Sequence, residues 1–223
     1  KSVFITRFLA PDSDFRQILE NEGFQVEGQS LIAFQAVPFE QFQYTDWIFF
    51  YSKNAVRYFL EGISVDKQVL KSKLACMGKA TATALEKLGR QADFVGYGSP
   101  DEIAADFLKL AKNQSVLFPR ARNSRQSIQK ILGNHIISYD LVVYINEPKT
   151  DCHMSNNNVL VFTSPLNVEA YFYQNDLQPH QRIVAIGETT AQALKKLGYC
   201  EASIASLPTE KSMATTVLQL ASA

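Results

Sequence analysis

The chain has 223 residues, 46% hydrophobic and 20% charged, an ordinary globular composition that allows one large domain or two small ones. Its 22 Lys and Arg balance 22 Asp and Glu, and a formal charge of zero argues against a general nucleic-acid or membrane-surface binder. No apolar run approaches the roughly 18 residues of a membrane span, and three scattered cysteines, Cys76, Cys152 and Cys200, suggest neither a zinc site nor a disulfide framework. They read as reduced thiols of a cytoplasmic protein, two of them in the core. His135, His153 and His180 share no ligand spacing and read as surface residues. The start at Lys1, without methionine, implies a processed or trimmed terminus, and Lys1–Leu9 is too short for a signal peptide.

Taken in order, Ser2–Thr6 is a buried strand with Arg7 at its carboxyl end, and Asp12–Asn21 a helix with Phe15, Ile18 and Leu19 on one face, closed by Gly23. Ser30–Gln35 reads as the second strand, and Val37–Asp46, with Pro38, as a first crossing between domains. Trp47–Tyr51 is a continuous apolar run, as in a strand covered on both faces of a parallel sheet. Ser52 and Asn54 can cap the helix behind it. Ser99-Pro100-Asp101-Glu102 is a capping box opening a helix to about Ala111. Ser115–Phe118 is another buried strand, followed by Arg120, Arg122 and Arg125, and a helix bearing Ile128, Ile131 and Leu132 then runs to Gly133. Ile136–Ile145 is extended, and the polar stretch Glu147–Asn158 is the second crossing. The strand Val159–Phe162, a helix capped by Ser164-Pro165, the strand Arg182–Ile186, a strand near Ala202–Ile204 and a helix from Thr209 complete the chain. Alternating strands and helices predict an α/β architecture with parallel sheets.

One stretch occurs twice. Gly78–Gly89 (GKATATALEKLG) and Gly187–Gly198 (GETTAQALKKLG) agree at eight of twelve positions, including Thr81 with Thr190. Each follows a short apolar run, so each reads as strand, glycine turn and amphipathic helix, with the free N–H groups of a helix start offered to an anion. The match extends outward: Trp47–Phe59 lies over Val159–Phe172, placing Ser52 on Ser164, and Ser2–Arg7 lies over Ser115–Arg120, placing Arg7 on Arg120. The offsets are 113, 112 and 109 residues, as expected of a duplication with small loop changes. Two similar five-stranded units with ligand-binding carboxyl edges facing a shared cleft are predicted.

The polar residues expected at those strand ends are Arg7, Ser52, Lys53, Thr81, Arg120, Arg122, Arg125, Tyr144, Ser164, Thr189 and Thr190. Basic groups, hydroxyls and helix starts with few carboxylates suit a polyanionic ligand better than a metal or paired-carboxylate chemistry. The serines and threonines read also as helix caps, the arginines as solvated charges and Tyr144 as a packing residue. No nucleotide-binding glycine motif is present.

These residues resemble the uroporphyrinogen-III synthase family. The resemblance rests on Phe162-Thr163-Ser164-Pro165 and Ala185–Ala191, their first-half versions Tyr51-Ser52 and Met77–Ala82, Arg7, Pro119–Arg125 and Val143-Tyr144. It implies two flavodoxin-like domains joined by a two-stranded linker, 1–36 with 147–223 and the inserted 37–146. It also implies a monomeric, cofactor-free and metal-free lyase of heme biosynthesis. That enzyme closes hydroxymethylbilane to uroporphyrinogen III with inversion of the D ring and loss of water, through an azafulvene and a spiro intermediate. In the family's pattern Tyr144 matches the cleft tyrosine that helps the hydroxyl depart. Ser164, Thr190 and Thr81 match carboxylate-binding positions, and Arg7, Ser52, Lys53, Arg120 and Thr189 are taken with them. One departure is Ser52-Lys53-Asn54-Ala55 where many relatives read Ser-Pro-Arg-Ala; Lys53 would then supply the charge. The alternative is a non-catalytic binder or regulator of an anionic small molecule, against which the joint presence of Tyr144, Ser164 and Thr190 counts.

Overall fold

A computed structural model describes residues 1–63, 71–150 and 156–222, so Cys152 and His153 lie outside the described residues. In chain order the elements begin with β1 (Ser2–Ile5), α1 (Asp14–Asn21), β2 (Gln25–Gly28) and β3 (Ile32–Ala36). There follow β4 (Trp47–Phe50), α2 (Lys53–Gly62), β5 (Lys73–Cys76), α3 (Lys79–Glu86), β6 (Phe94–Val95) and α4 (Pro100–Ala111). Next come β7 (Ser115–Ala121), α5 (Ser127–Leu132), a short 3-10 turn and β8 (Ile137–Pro148). The last are β9 (Val159–Phe162), α6 (Pro165–Phe172), β10 (Arg182–Ala185), α7 (Glu188–Lys196), β11 (Ser203–Ile204) and α8 (Glu210–Ser222). The chain divides into one compact unit of Lys1–Ala33 with Glu147–Ala223 and another of Phe34–Asn146.

Each unit is built on a parallel sheet. The first has strand order β2-β1-β9-β10-β11, with every neighbouring pair parallel. The second runs β3-β8-β7-β4-β5-β6, and its last five strands are likewise parallel in every pairing. Those five repeat the first sheet with the chain entering at a different strand: β7 stands where β1 does, β4 where β9 does, and β5 where β10 does. This is the doubly wound, flavodoxin-like order, and it is the correspondence that the sequence repeat requires. Four-residue apolar runs serve at the centre: Trp47–Phe50 and Val159–Phe162 are buried at every position, because helices cover both faces of the sheet.

In the first unit α1 and α8 pack on one face (Phe15, Leu19, Met213, Val217) and α6 and α7 on the other (Val168, Tyr171, Leu194). In the second, α2 and α3 cover one face (Val56, Phe59, Leu85) and α4 and α5 the other (Ile103, Phe107, Ile128, Leu132). Among the described residues no helix is long and apolar enough to cross a membrane. Cys76 is buried and Cys200 exposed, both as free thiols, and His135 and His180 are exposed as expected.

Two expectations need correcting. Ser30–Gln35 is not the second strand of the first sheet; that strand is β2, and Ile32–Ala36 instead lies beside β8 in the other sheet. β2 is an edge strand that buries only Val26 of Gln25–Gly28, so it lacks the apolar run that would mark it. The second sheet consequently has six strands, not five. The glycines that open the repeat are also not needed for a left-handed turn: Gly78 (φ −178°) and Gly187 (φ 179°) are fully extended. The closing glycines are the ones with positive φ, Gly89 at 74° and Gly198 at 93°. There the chain leaves each helix by a Schellman turn, with Arg90 N–H donating to Leu85 O and Tyr199 N–H to Leu194 O.

The capping box at Ser99 is present in both directions, the hydroxyl accepting from Glu102 N–H and the Glu102 carboxylate from Ser99 N–H. Ser99→Ala is expected to lower the stability of the folded chain by about 1 kcal/mol, read as a lower urea midpoint at unchanged slope.

Candidate functional site

In both sheets the helices leave to opposite faces at one point, between β1 and β9 in the first unit and between β7 and β4 in the second. Open parallel sheets bind ligands outside the carboxyl ends of the strands at such a point. Arg7, Ser52, Arg120 and Ser164 stand at or just beyond the carboxyl ends of the strands that flank this point, and Thr81, Thr189 and Thr190 follow the next strands outward.

In the second unit Ser52 is the N-cap of α2, directly after β4, and its Oγ accepts from Ala55 N–H at 3.1 Å. The same Oγ lies 3.1 Å from Tyr144 Oη. Tyr144, on β8, is 7% exposed. Its ring stacks on Tyr58 with centroids 5.3 Å apart and leans on Phe34 at 6.1 Å, while Tyr58 Oη donates to Phe34 O. Burial raises the Tyr144 pKa, the Ser52 hydrogen bond opposes the rise, and the nearby Tyr58 adds to it. The phenol therefore keeps its proton at neutral pH. Lys53, the first residue of α2, is exposed. On the neighbouring strand β5 the chain passes through Gly78 into α3, and Thr81 in its first turn is buried.

Tyr51 sits at the end of β4 and accepts Gln129 N–H, from α5, at 3.0 Å. Burial pushes its pKa up to about 12. Arg120 is committed within the protein. Its Nε donates to the Asp140 carboxylate, and its Nη1 donates to the carbonyls of Ala121 (3.0 Å) and Arg122 (3.1 Å). Arg122 and Arg125 are exposed.

The first unit repeats the scheme with different detail. Ser164 is the N-cap of α6, and its Oγ accepts from Asn167 N–H and from Asn167 Nδ2 (2.9 Å). Asn167 Oδ1 in turn accepts Leu31 N–H, so Asn167 ties the serine to the segment that follows β2. Beyond β10, Gly187 opens α7 with Thr189 exposed and Thr190 buried. Arg7 follows β1 and lies 3.9 Å from the Glu210 carboxylate, which also accepts from Ser13 Oγ. Thr163 Oγ1 donates to Thr6 O, and Thr163 N–H donates to Thr6 Oγ1, bridging β1 and β9 at their carboxyl ends.

The helices that follow β5 and β10 differ from their neighbours. Serine side chains cap α1, α2, α4 and α6, but no side chain caps α3 or α7. A Cβ built at Gly187 meets no atom within 4 Å, and one at Gly78 meets only Gly96 O at 3.9 Å. The leading amides of both helices thus open onto space that any side chain would fill, an arrangement that admits an anion to the backbone. Among the described residues no cluster of three metal-capable side chains occurs.

The structure therefore brings Tyr144 and Ser52 into contact and sets Lys53 and Thr81 on adjacent strand ends beside them. Ser164, Thr189 and Thr190 form the equivalent set in the other unit. Arg7 and Arg120 are held by carboxylates of their own units. Asn167, Tyr58 and Asp140 were not singled out from the sequence. Of these only Asn167 left a signal, standing three residues after an N-cap serine as in a capping box.

The fold and these strand ends define an α/β protein of two doubly wound units, with two helix starts that no side chain caps and a sequestered phenol. The chain belongs to the uroporphyrinogen-III synthase family: the family described as Uroporphyrinogen-III synthase HemD matches residues 13–215. It is accordingly an enzyme of tetrapyrrole biosynthesis, of the cyclising lyase class. The crystal structure of uroporphyrinogen-III synthetase from Helicobacter pylori matches with a TM-score of 0.76 at 22% identity, over 99% of each chain. A mutant uroporphyrinogen III synthase from the extremely thermophilic bacterium Thermus thermophilus matches with a TM-score of 0.64 at 18% identity, over 99% of this chain and 98% of that one. At such identities the likeness concerns the fold. No curated protein sequence matches the chain.

Proposed function

We propose that the chain closes hydroxymethylbilane to uroporphyrinogen III, with Tyr144 donating the proton that lets the terminal hydroxyl leave as water. The observation that carries the assignment of this role is the pairing of Tyr144 Oη with Ser52 Oγ at 3.1 Å in an otherwise apolar setting. Ala55 N–H already donates to Ser52 Oγ. Either hydroxyl can donate in this pair, since an oxygen that accepts one N–H keeps a second lone pair. In the proposed reacting arrangement the serine proton points at Tyr144 Oη and the phenolic proton at the departing hydroxyl. The same serine O–H stabilises the phenolate that forms.

The substrate's carboxylates are taken up by backbone amides at the starts of α3 and α7, by Ser164, and by Lys53, Thr81, Arg7, Thr189 and Thr190, while the Ser52 proton serves Tyr144. In this reading each of the two domains, 1–36 with 147–223 and 37–146, carries one glycine turn and one serine-capped helix of the kind that can hold a carboxylate. Binding spread over many amides folds a flexible chain into a reactive conformation, which removes part of the entropic barrier. The enzyme acts as a cytoplasmic monomer on this small molecule without nucleic acid or cofactor.

The test is an assay of the purified chain with hydroxymethylbilane generated in situ, separating the uroporphyrin isomers after oxidation. Unassisted closure gives isomer I. Dominant isomer III is expected; isomer I alone from folded protein would leave a binder of anionic tetrapyrroles.

A further inference from the structure

On β8 the side chains alternate between the two faces as far as Val143. Asp140 pairs with Phe118, which faces α4 and α5, whereas Leu141 and Val143 face α2 and α3. Strict alternation would send residue 144 to the α4–α5 face. Instead Val143 and Tyr144 lie in the same α2–α3 core. The ladder accounts for this: Arg120 pairs with Val142 but Ala121 with Tyr144, so Val143 is an extra residue in a β-bulge. That one-residue slip turns the phenol toward Ser52.

The bulge is held from both sides. Val37 N–H donates to Val143 O and Arg122 N–H to Tyr144 O, each at 3.0 Å. Behind the sheet, the Arg120 guanidinium clamps the carbonyls of Ala121 and Arg122, the residues that carry the Tyr144 ladder bond. Asp140 fixes that guanidinium and also accepts the side-chain amides of Gln126 and Gln129. The Arg120 side chain is only 15% exposed. A planar fork can serve a carboxylate and two carbonyls at once, whereas a lysine ammonium cannot hold all three in place.

We infer that Arg120, oriented by Asp140, is a positioning residue that fixes the β8 bulge and so aims the Tyr144 hydroxyl, and is not a ligand of the substrate. The predicted effect on rate rests on the proton-donor reading of Tyr144; the aiming itself does not.

The experiment measures kcat and KM for isomer III formation in Arg120→Lys, Arg120→Gln and Asp140→Asn, each alone and combined with Tyr144→Phe. In parallel, the phenolate absorbance step of Tyr144 is isolated as the difference from the matching Tyr144→Phe protein. Each single variant is expected to lose about 10- to 100-fold in kcat, the scale for a misplaced catalytic group, with KM within about twofold. In the Tyr144→Phe background no further loss is expected, and in the single variants, which keep Tyr144, its step moves down toward its ordinary position as water reaches the ring. A KM effect with kcat intact, or losses that multiply with Tyr144→Phe, would overturn the inference. If Tyr144→Phe alone leaves kcat unchanged, the proton-donor reading fails and the titration decides: an unmoved Tyr144 step in every variant then overturns the aiming as well. Should Arg120→Gln not fold, the same readouts are taken from Arg120→Lys and Asp140→Asn, which keep one partner of the pair.

Discussion

Tyr144→Phe is expected to lower kcat for uroporphyrinogen III formation by about 100-fold, the usual worth of a positioned acid, while KM stays nearly unchanged. The ring stacks on Tyr58 and meets Phe34 at a tilt, contacts that phenylalanine reproduces. Only the hydroxyl is lost; Ser52 keeps its bond from Ala55 N–H, and its O–H, on a side chain that is only partly buried, loses one partner. The loss therefore falls on the step that needs the proton, and an equal loss in product affinity would rule the role out. The pH dependence follows from the direction of the shift. A donor works in its protonated form, and burial moves the Tyr144 pKa above 10.0. Its contribution to kcat is thus complete across neutral and mildly alkaline pH and is lost only above that value. An alkaline limb that begins near neutrality must come from another group. Tyr51→Phe is the control. Tyr51 is partly buried and likewise shifted up, but it lies against Phe49 and Phe118, beside the core under α4 and α5, and its oxygen is taken by Gln129 N–H.

The parts of this architecture that could be read directly were those where a local rule and the global fold coincide. Trp47–Phe50 and Val159–Phe162 are apolar throughout because their strands are covered on both faces, and Ser52, Ser99 and Ser164 are helix caps because a hydroxyl answers the first orphan amides. The duplication did more. It placed β7 over β1 and β4 over β9, an equivalence between strands in different units that no periodicity contains. What stayed hidden depends on pairing across the chain. β2 is an edge strand with one buried residue, and Ile32–Ala36 carries the look of a strand without saying which sheet it joins. Arg120 is the sharpest case. Its place at a strand end and its alignment with Arg7 suggest a ligand for carboxylates, yet Asp140, twenty residues on, takes the charge. The bulge that needs it appears only when β7 and β8 are laid side by side.

Gly187→Asp should set stability and activity in opposite directions. The position is extended, a conformation open to any residue, and a Cβ there meets nothing within 4 Å. Aspartate at an N-cap accepts a first-turn amide and complements the helix dipole. The thermal midpoint should hold or rise slightly, since the gain over glycine is only a few tenths of a kcal/mol. The same carboxylate occupies the amides assigned to the substrate and repels its charge, so KM should rise by about 10-fold or more, charge-assisted bonds being roughly twice as strong as neutral ones. Gly187→Asn separates the two causes. It caps as well but carries no charge, so its KM should lie between parent and aspartate. The gap between the two variants should shrink as ionic strength rises, because exposed charges are screened. Equal KM in all three proteins would remove the start of α7 from substrate binding. The matching change at Gly78, where a Cβ has ordinary contact with Gly96 O at 3.9 Å, asks the same of the other unit. If both changes raise KM and the double variant multiplies the effects, each glycine turn holds a carboxylate of its own, and the duplication persists because the ligand is charged along its whole length.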